Sequence, residues 1–130
     1  MNVGETAYVC VLADRLWNDS GLDLVLGQTY NFTVPKNEKW MGWRIQCGAD
    51  GFVSRRFTGS WKILRRVPEG NWFQLVAAVG RSNRPSLLIG SRMVDFSPRF
   101  SGRLYFFANS LIGLHWRNNG MIAVRVTRTK

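Results

Sequence analysis

Gly102-Arg103-Leu104-Tyr105-Phe106-Phe107-Ala108-Asn109 and, a short loop later, Met121-Ile122-Ala123-Val124-Arg125-Val126-Thr127 are the stretches that decide the fold. The second alternates strictly. Ile122, Val124 and Val126 share one side of an extended chain, while Ala123, Arg125 and Thr127 share the other, the period-2 pattern of a half-buried strand. The first is richer in aromatic residues but has the same length and is closed by asparagine. Both are expected to be strands, neighbours in one sheet, joined by a loop whose Asn118-Asn119-Gly120 suits a tight turn.

Similar segments recur upstream. Glu5 to Ala13 places Ala7, Val9, Val11 and Ala13 on one face. Asn18-Asp19-Ser20-Gly21 reads as a turn, followed by a strand from Leu22 to Leu26 and the alternating Tyr30, Phe32 and Val34. Trp40 to Cys47 is a further strand, closed by the turn Gly48-Ala49-Asp50-Gly51. Trp61 to Val67 and Ser86 to Ile89 are expected strands. Asn71 to Val79 is an almost unbroken apolar run, as in a strand covered on both faces. About eight or nine short strands with Gly, Asn, Asp and Pro between them, and no sustained helical period, predict an all-β, antiparallel sandwich with jelly-roll connectivity. The chain of 130 residues fits one such domain.

Composition narrows the function. Eighteen Lys and Arg against eight Asp and Glu give a net charge of +10, and fourteen of the eighteen are Arg. Residues 1–50 are slightly acidic, so the positive charge belongs to residues 51–130. Guanidinium groups pair with carboxylate, phosphate or sulfate in a forked geometry. Arg55, Arg56, Arg65 and Arg66, beside Phe57 and Trp61, are therefore the residues expected to hold a polyanion, in a salt-sensitive manner. A solvated strand face that happens to carry arginine is the plainer reading of the same residues.

His115 is the single histidine, which excludes a histidine metal cluster, and neither a nucleophile elbow nor a phosphate-binding glycine loop is present. The carboxylates are scattered, with no local pair. The sequence therefore predicts no catalytic centre, no metal and no cofactor. Cys10 and Cys47 lie in strand-like segments and are expected to be small buried hydrophobes. No run approaches the length of a membrane helix. Met1 to Glu5 shows no secretory signal, leaving the cytoplasm as the default location and leaderless export open.

The stretch from Gly102 to Val126 resembles the bacterial calcium-dependent galactophilic lectins and their wider group of galactose-binding β-sandwiches. There, a strand ending in Asn-Asp leads through a glycine-containing loop to Asn-Asn and a final alternating strand. Trp72 to Gly80 with Leu88-Ile89-Gly90, and Val11 to Asp14 with Gly21, Leu24 to Gly27 and Tyr30 to Val34, follow the same family more loosely. The resemblance implies a sugar-binding loop, but the chain departs from it where calcium is held. Ser110 stands at the Asp position and Leu114 at the Thr position, while the Asn pair falls on Arg117 and Asn118 or, after a one-residue shift, on Asn118 and Asn119. Calcium prefers six to eight oxygens with carboxylate among them, so a calcium-free site is expected. Its residues would be Asn109, Ser110, His115, Trp116, Arg117, Asn118 and Asn119, with Trp40 and Trp43 as stacking surfaces unless these two pack in the core. The expected partners are a carbohydrate or other polar ligand, a polyanion, or a second copy of the chain in a homo-oligomer. A docking or adaptor role remains a third class, since a fold alone does not choose between them.

Overall fold

The computed structural model describes residues 1–42, 45–53, 65–81, 86–110 and 115–130. Its strands are β1 (Thr6–Leu12), β2 (Asn18–Leu24), β3 (Tyr30–Thr33), β4 (Trp40–Gly42), β5 (Ile45–Cys47), β6 (Leu75–Val79), β7 (Ser86–Leu88), β8 (Arg92–Phe96), β9 (Gly102–Ala108) and β10 (Asn119–Arg128). They form two antiparallel layers. In the six-stranded layer β10 is central. It pairs with β1 along Met121–Thr127, with β3 at Arg125–Arg128 and with β4 at Asn119–Gly120. Between β3 and β4, where no strand faces it, the Ala123 N–H donates to the Glu38 carboxylate at 3.3 Å. The outer strands are β5, beside β4, β8, beside β3, and β1, whose one described pairing is with β10. The four-stranded layer has the order β2-β9-β6-β7. Successive strands cross repeatedly from one layer to the other, which is the jelly-roll-like connectivity the turn spacing predicts.

Alternation builds the core. Val9 and Val11 of β1, Phe32 of β3 and Ile122, Val124 and Val126 of β10 point inward and are buried. They meet Leu75, Ala77 and Val79 of β6 and Leu104, Phe106 and Ala108 of β9 across the sandwich. Burying a valine, leucine, isoleucine or phenylalanine side chain contributes roughly 1.5–3 kcal/mol. All of β6 is buried, as an unbroken apolar run implies, because its outward Val76 joins Val67 and Phe107 in a second cluster on the far side of the layer.

Several expectations change. The strands β9 and β10 are not neighbours. Each is central in its own layer, with both edges already paired, so the segment between them crosses the sandwich instead of closing a hairpin. Asn18–Gly21 lies within β2, and its turn chemistry makes a bulge: Gly21 has φ 74° and its N–H donates to Asp19 Oδ1. Trp40 to Cys47 is two strands paired with each other. From Asn71 to Gln74 the chain turns, and β6 begins only at Leu75. The strand β8 carries no clear alternation and was not anticipated. Its register shifts against β3, and Asp95 has φ 56°. Most of the expected strand from Trp61 to Val67 lies outside the described residues. Cys10 is exposed, because the alternation that turns Val9 and Val11 inward turns Cys10 outward.

Candidate functional site

The site expected from sequence is the crossing from β9 to β10, and asparagines fix both of its ends. Asn109 is fully buried. Its side chain accepts from the Val67 N–H at 2.9 Å and donates to the Val67 carbonyl at 2.8 Å and the Asn71 carbonyl at 3.0 Å. One amide thus imitates a strand partner for Val67. The main chain of Asn109 is equally engaged, its carbonyl accepting from Phe73 N–H at 2.7 Å and its N–H donating to Gln74 at 3.0 Å. At the other end Asn118, also buried, donates to the Ala13 carbonyl at 3.1 Å and ties the crossing to the end of β1. Asn119, which opens β10, accepts from the Gly120 N–H at 2.7 Å, and Gly120 follows at φ 89°. Residues with side chains rarely adopt that conformation.

Trp40 lies beneath this end and does not line a rim. It is buried, and its indole N–H donates to the Phe73 carbonyl at 3.0 Å. Phe73 has φ 58°, a conformation costing roughly 1–3 kcal/mol for a residue with a side chain. It is held by the Trp40 and Asn109 bonds, and by the absence of a Cβ at Gly42, which would run into its ring. Trp40 is therefore structural, as its alternative reading as core packing had it. Trp43 lies outside the described residues, as do Leu111, Ile112 and Leu114.

Among its described residues, the crossing leaves a small and specific set accessible. His115–Arg117 forms a short 3-10 helix. Trp116 is 61% exposed, and the Arg117 guanidinium lies 4.9 Å from its ring centroid. Asn119 is exposed alongside. Deeper in, Ser110 Oγ, His115 Nδ1 and Asn118 Oδ1 are buried without a hydrogen-bond partner. Three such atoms close together in sequence are unusual, since buried polar atoms are nearly always satisfied. The two oxygens among them sit at positions that the lectin resemblance assigns to calcium. The donor set does not suit that ion, however. No carboxylate occurs between Asn109 and Gly120, and among the described residues no group of three His, Cys, Asp or Glu could hold a metal.

The arginines expected to hold a polyanion are placed differently. Arg55 and Arg56 lie outside the described residues. Arg65 and Arg66 are buried. The Arg66 guanidinium lies 3.4 Å from the Phe107 ring centroid and 4.7 Å from that of Trp17, and it donates to the Leu16 carbonyl at 2.6 Å. Burial brings its pKa down to about 10. Arg65 lies 5.1 Å from the Trp72 ring centroid and donates to the Pro68 carbonyl at 2.7 Å. Its pKa is also lowered, chiefly by burial and against the opposing pull of Glu69. Arg66 thus packs on the outer side of the four-stranded layer against Phe107 and Trp17, and Arg65 packs against Trp72, whereas Phe57 and Trp61 lie outside the described residues. The cations that do reach solvent, including Arg92, Arg99, Arg117 and Arg125, are spread over different elements.

Sequence reasoning missed Asn18. Its buried amide bonds the Leu12 N–H and carbonyl and the Phe106 carbonyl, and so fastens β1 in one layer to β9 in the other. An asparagine beside Asp-Ser-Gly offers no sequence signal of that use.

No family model and no curated protein matches the chain. Among solved structures, one described as "EclA N-terminal domain; PllA-like lectin" superposes with a TM-score of 0.68 at 17% identity, over 93% of this chain and 94% of that one. The chain therefore shares that protein's β-sandwich fold over almost its whole length.

Proposed function

We propose that this chain is a non-catalytic, lectin-like binding module that takes a carbohydrate or another polar ligand, without calcium, where residues 109–120 cross between the layers. The observation that carries this reading is the exposed Trp116 with Arg117 beside it, presented on a helical turn between two points clamped by asparagine. Aromatic surface this exposed is the part of a site that stacks on a pyranose, and guanidinium and amide groups are the parts that bond its hydroxyls. Rigid ends with an accessible middle are what binding loops on β-scaffolds provide. The lectin description of the neighbouring fold supports the same reading. Calcium independence is supported by the absence of carboxylate from the loop.

A glycan array probed in calcium and again in excess chelator tests this directly. The expected outcome is a set of bound glycans unchanged by chelator and lost in Trp116→Ala. Binding abolished by chelator would overturn the calcium-free mechanism. The net charge of +10 favours a second reading, retention on polyanions through the exposed arginines. A blank array together with salt-dependent elution from heparin would replace the first reading with the second.

A further inference from the structure

A cleft of about 440 Å³ opens at the far end of the sandwich, beside the start of β9 and remote from the Asn109–Gly120 crossing. The β6–β9 register fixes this placement, since Leu75 pairs with Ala108 at one end and Val79 with Leu104 at the other. The seven residues of β9 separate the two ends by about 20 Å. The cleft exists because β7 and β8 are the outer strands of different layers and no described pairing joins them. Val79 of β6, Leu87 of β7 and Phe96 of β8 line it, and Pro98, Arg99 and Phe100 complete it from the connection to β9.

The chemistry of these residues is one-sided. Five of the six are apolar, and Phe100 is 44% exposed despite its ring. The sixth, Arg99, is exposed and makes no ion pair with any described residue. Of the two serines that also line the cleft, Ser97 has its hydroxyl 3.1 Å from that of Thr29. A sugar placed here would lose water from its hydroxyls against carbon and recover few hydrogen bonds, which is costly. An apolar body with a single anionic end loses little and gains a charge-assisted pair at the guanidinium.

We propose that this cleft binds a small amphiphilic carboxylate, its hydrocarbon body against Val79, Leu87, Phe96 and Phe100 and its carboxylate paired with Arg99. The volume lies in the range of small-molecule sites and suits a body of about ten carbon atoms. The site is independent of the lectin-like one in position and in ligand chemistry.

Decanoate below its micellar concentration is the probe, titrated into the full-length ¹⁵N-labelled chain. Saturable shifts of the amides of Val79, Leu87, Phe96, Arg99 and Phe100 are expected, with the 115–119 amides unmoved. Arg99 and Phe100 are exposed, so Arg99→Gln and Phe100→Ala are expected to keep the wild-type melting temperature while weakening decanoate by about tenfold each. Acetate, which has the head without the body, is expected to bind at least about tenfold more weakly than decanoate, and octyl glucoside, which has an octyl body without the charge, at least about tenfold more weakly than octanoate. Decanoate shifts that fail to saturate, or that fall elsewhere, would overturn the site. Undiminished affinity in Arg99→Gln, or octyl glucoside equal to octanoate, would overturn the assignment of an anionic ligand.

Discussion

The outer face of the six-stranded layer stands in water, whereas that of the four-stranded layer is covered around Val76 and Phe107 and open where Arg103 pairs with Asp19 and Asp23. On the first, Tyr8 is 69% exposed, Met121 is 51% exposed, and the Arg125 guanidinium lies 5.6 Å from the Tyr8 ring centroid in the open. On the second, outward-facing Val76 and Phe107 are fully buried under Val67, Trp17 and the guanidinium of Arg66. Arginine over an aromatic ring occurs on both faces and does opposite work. On the open face it is a solvated charge resting on a ring, and on the covered face its stem and plane are part of the packing. A count of cations therefore does not translate into a basic surface. The burial of the residue that would carry the charge has to be known first.

The cover is held by Asn109, whose amide supplies Val67 with both halves of a strand pairing. The strongest way to break the contrast is Asn109→Ala. It leaves the Val67 N–H and two carbonyls without partners in a buried place, and the expected loss is about 3 kcal/mol in urea unfolding. A loss below about 1 kcal/mol would mean that other contacts hold the cover.

The two arginines sharpen the contrast further. Arg66→Ala removes packing from Phe107 and Trp17 and orphans the Leu16 carbonyl, for an expected loss of about 2 kcal/mol. Arg125→Ala on the open face is expected to cost under about 0.5 kcal/mol. The covered arginine also has a pH signature. Its folded pKa, about 10, lies below the ordinary arginine value, so burial penalises its charge fully below about pH 10. Between those values the unfolded chain holds more protons, and stability from this group rises with pH. Paired urea titrations should therefore show the gap between wild type and Arg66→Ala widening from pH 9 to pH 11. A gap that narrows over that range would mean the guanidinium is not desolvated.

The cysteines make the same comparison on a smaller scale. Cys10 lies outward on β1, and burial raises the Cys47 thiol to about 11. At pH 8 a thiol reagent is expected to label Cys10 promptly and Cys47 only on unfolding. Prompt labelling of both would mean that the β4–β5 edge opens readily.

How far the sequence could be read follows the same division. Where a strand has one wet face, as in β1, β3 and β10, alternation announces it and names the inward residues. Where both faces are dry, as in β6, an apolar run announces burial but not what lies on top. The layer to which a strand belongs was not legible, because β9 and β10 look alike as sequence and differ only in the neighbours that claim their edges. The strand β8 was invisible because a bulge with Asp95 at positive φ breaks its alternation. At the candidate site, the reading found the accessible pair Trp116 and Arg117. It also took Asn109 and Asn118 as ligand contacts; the Asn109 amide is engaged with Val67 and Asn71, while the Asn118 amide donates to Ala13 and keeps its oxygen without a partner. The partners of Asn109 lie some forty residues away in sequence (|i−j| of 42 and 38), beyond the reach of any local pattern.

The smallest expected effect on stability is the one most informative about function. Trp116 and Arg117 sit on the accessible turn of the crossing, and the described contact of each is with the other. Replacing both with Ala gives up a solvated cation–π pair, worth roughly 0.5–1 kcal/mol at an exposed site. It relieves the exposure of an indole at the same time, so the net change in unfolding free energy is expected to stay within about 0.5 kcal/mol. Capture of any glycan found on the array is expected to vanish, because the stacking surface and the fork leave together. Asn109→Ala predicts the converse pattern, a large loss of stability with the accessible pair chemically intact. If the double variant unfolds much more readily than wild type, Trp116 and Arg117 are part of the clamp, and the accessible site must be sought elsewhere on this end. If stability and glycan capture both survive, the loop is a crossing between layers and nothing more.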